Sequence, residues 1–452
     1  MGSRNRSSIA RRTAVMAAAV GLAGSVLASG GSTTAAPAAP ESPVTRWVSV
    51  SSDETQARAT SLHADISAKG WYVAFASEAA QLVPGDELGV KDVFVRDRVD
   101  KVTRRVSVGM HGAEANATSN QPSISADGRY VAFTSQATNL VADDTNGEVD
   151  VFVRDRETRT TRLVSVAGNG DQANGPNVSP SISADGRYVA FETYASNLVP
   201  GDTNSRVDVL VRDLVLQATS RVSVDSAGEQ GDYASASPAI SADGQYVVFV
   251  SMATNLGDGE DTNGVHDVYV RDRVANETSR VSVGQGNSEA NGESLSPSIS
   301  VHGRFVAFHS FASNLVADDT NGAFDVFVRD LATNETSRES VGPGGRQVHF
   351  YESRFPDISA HGRYVAFESR GTRLVSGDTN KAQDIFVRDR LANVTARVSV
   401  GQHETQANEW SYGPSISGDG QYVAFTSRAS NLVAHDTNRV RDVFFRNRGG
   451  TS

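Results

Sequence analysis

Residues 123–133 read SISADGRYVAF and residues 150–155 read DVFVRD, and close copies of both segments return throughout the chain. The phenylalanine that ends the first segment occurs seven times, and each copy follows the previous one by 58 or 59 residues. Such regular spacing indicates one structural unit repeated seven times. The seven copies are Phe75, Phe133, Phe191, Phe249, Phe308, Phe367 and Phe425.

Each unit contains four runs that are typical of β-strands. In the second unit they cover residues 122–125, 129–135, 150–155 and 161–166, where Val, Ile, Phe and Tyr dominate. Asp127 and Gly128 separate the first two runs and predict a tight hairpin, because Asp-Gly adopts positive φ readily. No segment has the periodicity of an amphipathic helix.

The second and third runs carry apolar residues on both faces, a pattern that suits a sheet packed between two neighbours. Radial stacking of four-stranded sheets covers both faces and leaves only short edges. We therefore predict an all-β fold, a seven-bladed β-propeller with four antiparallel strands in each blade.

The ends of the repeat predict how the ring closes. The seventh unit stops at its third run, residues 442–446, and an isolated fourth run, VTRWVSV, covers residues 44–50. This run matches the fourth runs at residues 103–108, 219–224 and 395–400. We expect the N-terminal strand to complete the last blade and close the ring.

The N-terminal region has the pattern of an export signal. Arg4, Arg6, Arg11 and Arg12 precede a short apolar run, and small residues follow it. We predict a signal peptide at residues 1–36, a linker at 37–43, the propeller at 44–448 and a tail at 449–452. The alternative is a retained N-terminal anchor. The predicted location is secreted, extracellular or in the cell envelope, with no transmembrane segment in the mature chain.

Composition limits the partners and the chemistry. Without the four arginines of residues 1–36, 38 Lys and Arg remain against 53 Asp and Glu, a formal net charge of −15. This charge argues against a nucleic-acid partner, although it is also typical of a protein that only needs solubility. The absence of cysteine excludes disulfides, thiol chemistry and Cys-ligated zinc.

The two repeated segments together resemble the WD40-like PD40 repeats of TolB-type β-propellers. The resemblance covers about residues 44–448 and rests on the S-x-D-G-R-Y-V-A-F and D-V-F-V-R-D motifs. It implies a propeller and, among exported members of the family, an accessory or sensor role. TolB itself resembles a six-bladed propeller with an additional N-terminal domain, and this chain has seven units.

The loops predict where a ligand would bind. The long connections, between the second and third runs and between one unit and the next, should share one face around the channel mouth, and function concentrates on such loops. Aromatic residues with arginine are typical of binding hot spots and of sugar-stacking platforms. The alternative is that they plug the channel or pack between blades. The predicted ligand-binding residues are Tyr233, His349, Phe350, Tyr351, Arg354, Trp410 and Tyr412.

A second repeated motif, D-T-N-x-x-x-D, precedes the third run in six of the seven units. Alternating oxygen ligands on a tight loop suit Ca²⁺, which makes calcium the one cofactor we consider. The alternative is a structural Asx-turn, in which the side chains bind nearby backbone N–H groups. The three sets that also carry glycine are Asp144, Asn146 and Asp150; Asp261, Asn263 and Asp267; and Asp319, Asn321 and Asp325.

The common catalytic motifs are missing from the sequence. It contains no G-x-S-x-G, no H-E-x-x-H and no phosphate-binding glycine loop. We therefore assign no catalytic residue and predict a secreted or cell-envelope binding or scaffold module that recognises a protein, peptide or glycan. The alternative is an extracellular glycan-active hydrolase or lyase with its site at the mouth of the central channel.

Overall fold

The computed structural model describes residues 42–257, 259, 261–349 and 351–449. This part of the chain forms 28 strands and four short 3₁₀ turns, at Met110–Gly112, Gln285–Asn287, Pro343–Gly345 and Gln402–Glu404. The predicted signal peptide, most of the predicted linker and Phe350 lie outside the described residues.

The strands group into seven antiparallel sheets of four. Their bounds are β1 Val44–Trp47, β2 Ser61–Ile66, β3 Tyr72–Ser77, β4 Asp92–Asp97, β5 Val102–Arg105, β6 Ser119–Ile124, β7 Tyr130–Ser135, β8 Asp150–Asp155, β9 Thr160–Leu163, β10 Asn177–Ile182, β11 Tyr188–Thr193, β12 Asp208–Asp213, β13 Ala218–Arg221, β14 Ser235–Ile240, β15 Tyr246–Ser251, β16 Asp267–Asp272, β17 Glu277–Arg280, β18 Ser294–Ile299, β19 Phe305–Ser310, β20 Asp325–Asp330, β21 Glu335–Arg338, β22 Ser353–Ile358, β23 Tyr364–Ser369, β24 Asp384–Asp389, β25 Val394–Arg397, β26 Ser411–Ile416, β27 Tyr422–Ser427 and β28 Asp442–Asn447.

We number the blades from 1, formed by β2–β5, to 7, formed by β26–β28 with β1, and name the strands of each blade a to d. The seven a strands contact one another in sequence around a closed ring, because β26 also contacts β2. They therefore surround the axis, and the d strands lie outermost. The predicted all-β, seven-bladed propeller is confirmed.

The predicted closure is also confirmed. β1 pairs antiparallel with β28, so that Val44 lies opposite Asn447 and Trp47 opposite Phe444. Just after β1, the Val48 N–H donates to the carbonyl of Val443 over 2.8 Å. The N-terminal strand thus supplies strand d of blade 7, and the pairing joins the two ends of the repeat.

The a strands are longer than the sequence predicts, and they contain a bulge. β6 begins at Ser119 rather than at residue 122, and its pairing with β7 shifts register between Asn120 and Ser123. Gln121 adopts a positive φ of 48° at this point. Pro122 follows it and has no N–H to donate to the ladder, which favours a bulge at this position.

The hydrophobic core lies between blades. In blade 2, the buried rings of Phe133 and Phe152 stack with centroids 5.9 Å apart. They belong to a buried cluster that also contains Val93 and Val95 of blade 1. An equivalent cluster lies at every interface, including that between blade 7 and blade 1, so each sheet is covered on both faces.

The Asp-Gly hairpin has a packing role as well as a local one. Gly128 has φ +75°, and a Cβ added there would lie 2.2 Å from the ring of Tyr72 in blade 1. Arg156 covers the same ring, with its guanidinium carbon 4.6 Å from the centroid. Glycine therefore allows the closed turn and also the close approach of the neighbouring blade.

We predict that removing β1 destabilises the whole ring. A variant lacking residues 1–48 loses the β1–β28 pairing and the fully buried Val48. Its free energy of unfolding should fall by roughly 4 kcal/mol relative to a variant lacking only residues 1–41. Thermal unfolding of the two variants tests this, and equal melting temperatures would contradict the role of β1 in closure.

Candidate functional site

The long connections, between strands b and c and between one blade and the next, share one face of the propeller, which we call the long-loop face. The residues of the seven units differ most around the axis on this face. One such position directly follows strand b, and another directly precedes strand c. The first is occupied in blade order by Glu78, Gln136, Tyr194, Met252, Phe311, Arg370 and Arg428. The second is occupied by Lys91, Val149, Val207, His266, Phe324, Gln383 and Arg441. All seven blades pack against their neighbours in the same way, so packing does not explain why the residues at these two positions differ.

In blades 5 to 7, aromatic rings and guanidinium groups lie close together at these two positions and at the neighbouring starts of the a strands. We call this set the rim patch. It consists of Phe311, Phe324, Tyr351, Arg354, Phe355, Arg370, Trp410, Tyr412, Arg428 and Arg441.

The part of the rim patch on blades 6 and 7 alternates arginine and aromatic side chains. The Arg370 guanidinium lies 5.4 Å from the ring centroid of Tyr351 and 5.2 Å from that of Trp410. The Trp410 and Tyr412 rings are 6.1 Å apart and tilted by 50°. Arg441 lies 5.3 Å from the ring centroid of Tyr412, so cation–π contacts and one contact between aromatic rings connect the group from end to end.

The part on blades 5 and 6 is more apolar. Arg354 lies 4.3 Å from the centroid of Phe324 and pairs with Glu352 over 2.8 Å. Phe311 packs 5.4 Å from Phe324. The side chains of Phe311 and Phe355 are 49% and 47% exposed. Such exposure of large apolar rings marks a surface available for contact.

The bulges of the a strands anchor the rim patch to the blade before. The N–H of Phe355 donates to Nδ1 of His309 over 3.4 Å, and the N–H of Gly413 donates to Oε2 of Glu368 over 2.9 Å. Burial lowers the pKa of His309 to about 3, which keeps its ring neutral and able to accept. Burial raises the pKa of Glu368 to about 7.

The structure brings four of the predicted ligand-binding residues together. Tyr351, Arg354, Trp410 and Tyr412 all belong to the rim patch. The sequence places Arg354 and Tyr412 in loops between units, but both lie in a strands, β22 and β26. The a strands begin earlier because of the bulge, and their first residues therefore reach the channel mouth.

Of the other three predicted residues, two are described and lie outside the rim patch. Tyr233 precedes β14 in blade 4, where Arg206 lies 5.3 Å from its ring, and no described ring contact links it to the rim patch. His349 is exposed in the connection between blades 5 and 6. Phe350 lies outside the described residues.

Sequence reasoning did not single out six of the ten rim-patch residues. Phe355 lies in strand a of blade 6, and the other five, Phe311, Phe324, Arg370, Arg428 and Arg441, flank strands b and c rather than the connections between units. A signal for them is present in the repeat, because these positions change from unit to unit beside invariant core residues.

The D-T-N motif forms an Asx-turn in the structure. The Asn146 side-chain oxygen accepts the N–H of Glu148 over 3.1 Å, and its amide donates to Asp150 over 2.8 Å. Asn263 and Asn321 make the same two contacts in blades 4 and 5. The asparagine thus orients the carboxylate that begins strand c.

In five blades an arginine at the end of strand d stands beside these carboxylates. Arg280 lies 3.6 Å from Asp261, 3.8 Å from Asp267 and 2.6 Å from Glu289. The guanidinium supplies the positive charge that a calcium ion would bring, which favours the structural turn at these sets. The five arginines are Arg105, Arg221, Arg280, Arg338 and Arg397.

Blades 2 and 7 lack that arginine, because Leu163 and Trp47 occupy its position. In blade 2, one oxygen of Asp144 is buried with no hydrogen-bond partner in the described part of the chain. Burial raises the pKa of Asp150 to about 6. Calcium at Asp144, Asn146 and Asp150 therefore stays a prediction.

A ring of short side chains surrounds the axis at the fifth position of each a strand. The Ile182 N–H donates to Ser123 Oγ of the preceding blade over 3.2 Å, and the Ile416 N–H donates to Asp357 over 2.7 Å. Such contacts link five of the seven neighbouring blade pairs, whereas Ala239 has no side-chain acceptor and Ser298 Oγ has no hydrogen-bond partner in the described part of the chain. The members of the ring are Asp65, Ser123, Ser181, Ala239, Ser298, Asp357 and Ser415.

Two members of this inner ring are carboxylates. Asp65 and Asp357 lie on either side of Ser415, whose hydroxyl donates to Asp65 over 2.9 Å. Burial raises the pKa of both groups, and it raises that of Asp357 to about 7 with a further contribution from the charge of Asp65. The folded chain therefore holds a proton here more tightly than the unfolded chain does.

Comparison with known proteins shows the fold alone. No protein-family profile and no curated protein matches the chain. The β-propeller domain of the Trilobed protease from Pyrococcus furiosus is 12% identical with a TM-score of 0.54, and the similarity covers 88% of this chain and 96% of that one. That domain is described as having an open velcro topology. In this chain, the β1–β28 pairing closes the ring.

Two further solved structures are similar. An oligogalacturonate lyase in complex with manganese is 11% identical with a TM-score of 0.53, and the similarity covers 90% of this chain and 97% of that one. TolB from Acinetobacter baumannii is 14% identical with a TM-score of 0.38 over 85% of this chain and 82% of that one. The predicted propeller fold is confirmed by the two structures with the higher TM-scores, and TolB is among the solved structures to which this chain is similar.

The described residues contain no helix that is long and apolar enough to cross a membrane.

We predict that Leu163→Arg stabilises the protein, because it gives blade 2 the guanidinium that five blades already have. The gain should be about 1–2 kcal/mol at about pH 8, where Asp150 is charged, and should shrink below about pH 5, where it is protonated. The mirror variant Arg280→Leu should lose about 3 kcal/mol at the higher pH. Thermal melting at both pH values measures this, and a destabilised Leu163→Arg variant would contradict it.

The same variant tests calcium in blade 2. If Asp144, Asn146 and Asp150 bind calcium, EGTA lowers the melting temperature of the wild-type protein and leaves that of Leu163→Arg unchanged. An equal response of the two proteins, or no response in either, would contradict a calcium site at this position.

We predict that Asp357→Ser flattens the pH dependence of stability. Serine occupies this position in four other blades and keeps the acceptor for the Ile416 N–H. Because the folded pKa is raised, wild-type stability falls as pH rises from about 4 through about 7. The variant should be more stable by roughly 2 kcal/mol at about pH 8 and about equal at pH 4. Parallel melting curves against pH would contradict this account.

Proposed function

We propose that the chain is a secreted or cell-envelope binding module that holds a protein, peptide or glycan on the rim patch. The observation that carries the proposal is the group of exposed aromatic rings and arginines on the long-loop face of blades 5 to 7. Export follows from the predicted signal peptide and belongs to the same proposal.

Exposure of the rings supports this proposal. Trp410 is 38% exposed and Tyr351 is 36% exposed, although both are large enough to gain from burial. Tryptophan, tyrosine and arginine are the residues that dominate the binding energy of interfaces. A partner that covers the rim patch would bury these rings and remove water from the arginine contacts.

The rigidity of the surface supports it as well. Tyr412 and Phe355 lie in a strands, and the N–H groups of Gly413 and Phe355 are bonded to the preceding blade. Side chains held on strands lose little freedom when a ligand binds. The rim patch is therefore organised before binding.

A glycan-active hydrolase or lyase is the second candidate function. Glu368 favours it, because its pKa of about 7 would allow it to exchange a proton near neutral pH. However, Glu368 is buried and accepts the N–H of Gly413. His309, at the equivalent position of strand b in the preceding blade, has a pKa of about 3 and also accepts a backbone N–H. These bonds suit a positioning role, and we therefore prefer binding.

The double variant Tyr351→Ala/Trp410→Ala tests the proposal. We expect about tenfold weaker binding to immobilised cell-envelope material, because two anchor rings are lost. The matched control is Trp71→Ala, which removes a 48% exposed ring from the hairpin before β3 on the opposite face. Unchanged binding in the double variant, with weaker binding in the control, would place the ligand on the other face.

A further inference from the structure

We infer that the ligand of the rim patch is an acidic glycan, a polymer of sugar rings that carry carboxylates. This inference rests on the proposed function and specifies its ligand. It follows from the charges of the rim patch and from the arrangement of its guanidinium groups around aromatic rings.

Three arginines of the rim patch lack an acidic partner. Arg370, Arg428 and Arg441 are exposed, and none forms an ion pair with a carboxylate in the part of the chain that the structure describes. Arg354 differs from them, because Glu352 pairs with it over 2.8 Å. Three guanidinium groups therefore remain available to an anion.

The acidic groups near the rim patch offset only part of this charge. Glu409 is exposed near Tyr412, and Glu368 is buried with a pKa raised to about 7. Elsewhere the chain is acidic, since 38 basic residues stand against 53 acidic ones after residue 36. A locally basic surface on an acidic protein is complementary to a negatively charged ligand.

The geometry fits a ligand that offers a ring with an apolar face together with a carboxylate. Arg370 stands between the rings of Tyr351 and Trp410, and Arg441 stands beside Tyr412. A guanidinium whose face rests on a ring keeps its N–H edge free for a bidentate bond to a carboxylate. Trp410 is 38% exposed and Tyr412 is half-buried, so part of each ring remains for the apolar face of a sugar.

A uronate residue provides both features in one rigid unit, and its polymer repeats them along the rim patch. An acidic peptide carries its carboxylates on flexible side chains, which lose freedom on binding. A nucleic-acid duplex carries about one negative charge for every 1.7 Å, so the net charge of the protein repels it more strongly than it repels a polymer with one carboxylate for each sugar ring. The observations therefore favour the glycan over the other two polyanions.

The experiment compares binding of polygalacturonate and of its fully methyl-esterified form, which has the same rings without the charge. We expect the wild-type protein to bind the acidic form at least about tenfold more tightly, and the difference to fall at high salt. Arg370→Gln/Arg441→Gln should lose about tenfold in affinity for the acidic form. The control, Arg104→Gln/Arg162→Gln, removes two exposed arginines from outer strands and should bind like the wild type.

Each contrary result has a distinct meaning. Equal binding of the two polymers, with loss of both in Tyr351→Ala/Trp410→Ala, would overturn the acidic ligand and leave the proposed binding function standing. Equal or tighter binding of poly-L-glutamate would overturn the glycan in favour of an acidic peptide. Binding of neither polymer would overturn this inference, while capture of cell-envelope material still decides the proposed function.

Discussion

The fold depends on one constraint: a sheet that is apolar on both faces must pack against a neighbouring sheet on each of them. Phe133 and Phe152 pack against the valines of the preceding blade, and an equivalent cluster joins blade 7 to blade 1. A linear stack would leave two such faces in water, at about 25 cal/mol for each Å² of apolar surface. The ring leaves none, and the β1–β28 pairing holds the ends of the chain together without a disulfide.

Because sevenfold packing determines the core, much of the chemical variety lies on the surface around the axis. The side chain after strand b changes from Glu78 to Tyr194 to Arg370, while the phenylalanine three residues before it stays the same in every blade. The side chains of the rim patch therefore differ from blade to blade without changing the packing of the core. Its rings and guanidinium groups contact one another, and the bulge N–H groups tie them to buried His309 and Glu368.

Buried charge shows where individual blades depart from the repeat. Arg280 balances the carboxylates of blade 4, and Leu163 leaves those of blade 2 without this partner. Asp357 replaces a serine in the inner ring, although the serine of other blades makes the same backbone contact. Burial raises the pKa of Asp150 to about 6 and does the same for Asp267 beside Arg280, whereas at Asp357 the raised pKa belongs to a carboxylate that the other blades mostly lack.

The sequence by itself determined the number of blades, the strands in each and the closure by residues 44–50, because strand pattern and turn chemistry are local and repeat along the chain. It also named four members of the rim patch. Only the tertiary structure decided that Arg370, Trp410 and Arg441 form one surface and that Arg280 stands beside Asp261. Such contacts join residues about 20 to 40 positions apart, and strand pairing within a blade or packing between neighbouring blades, rather than any local pattern, brings them together.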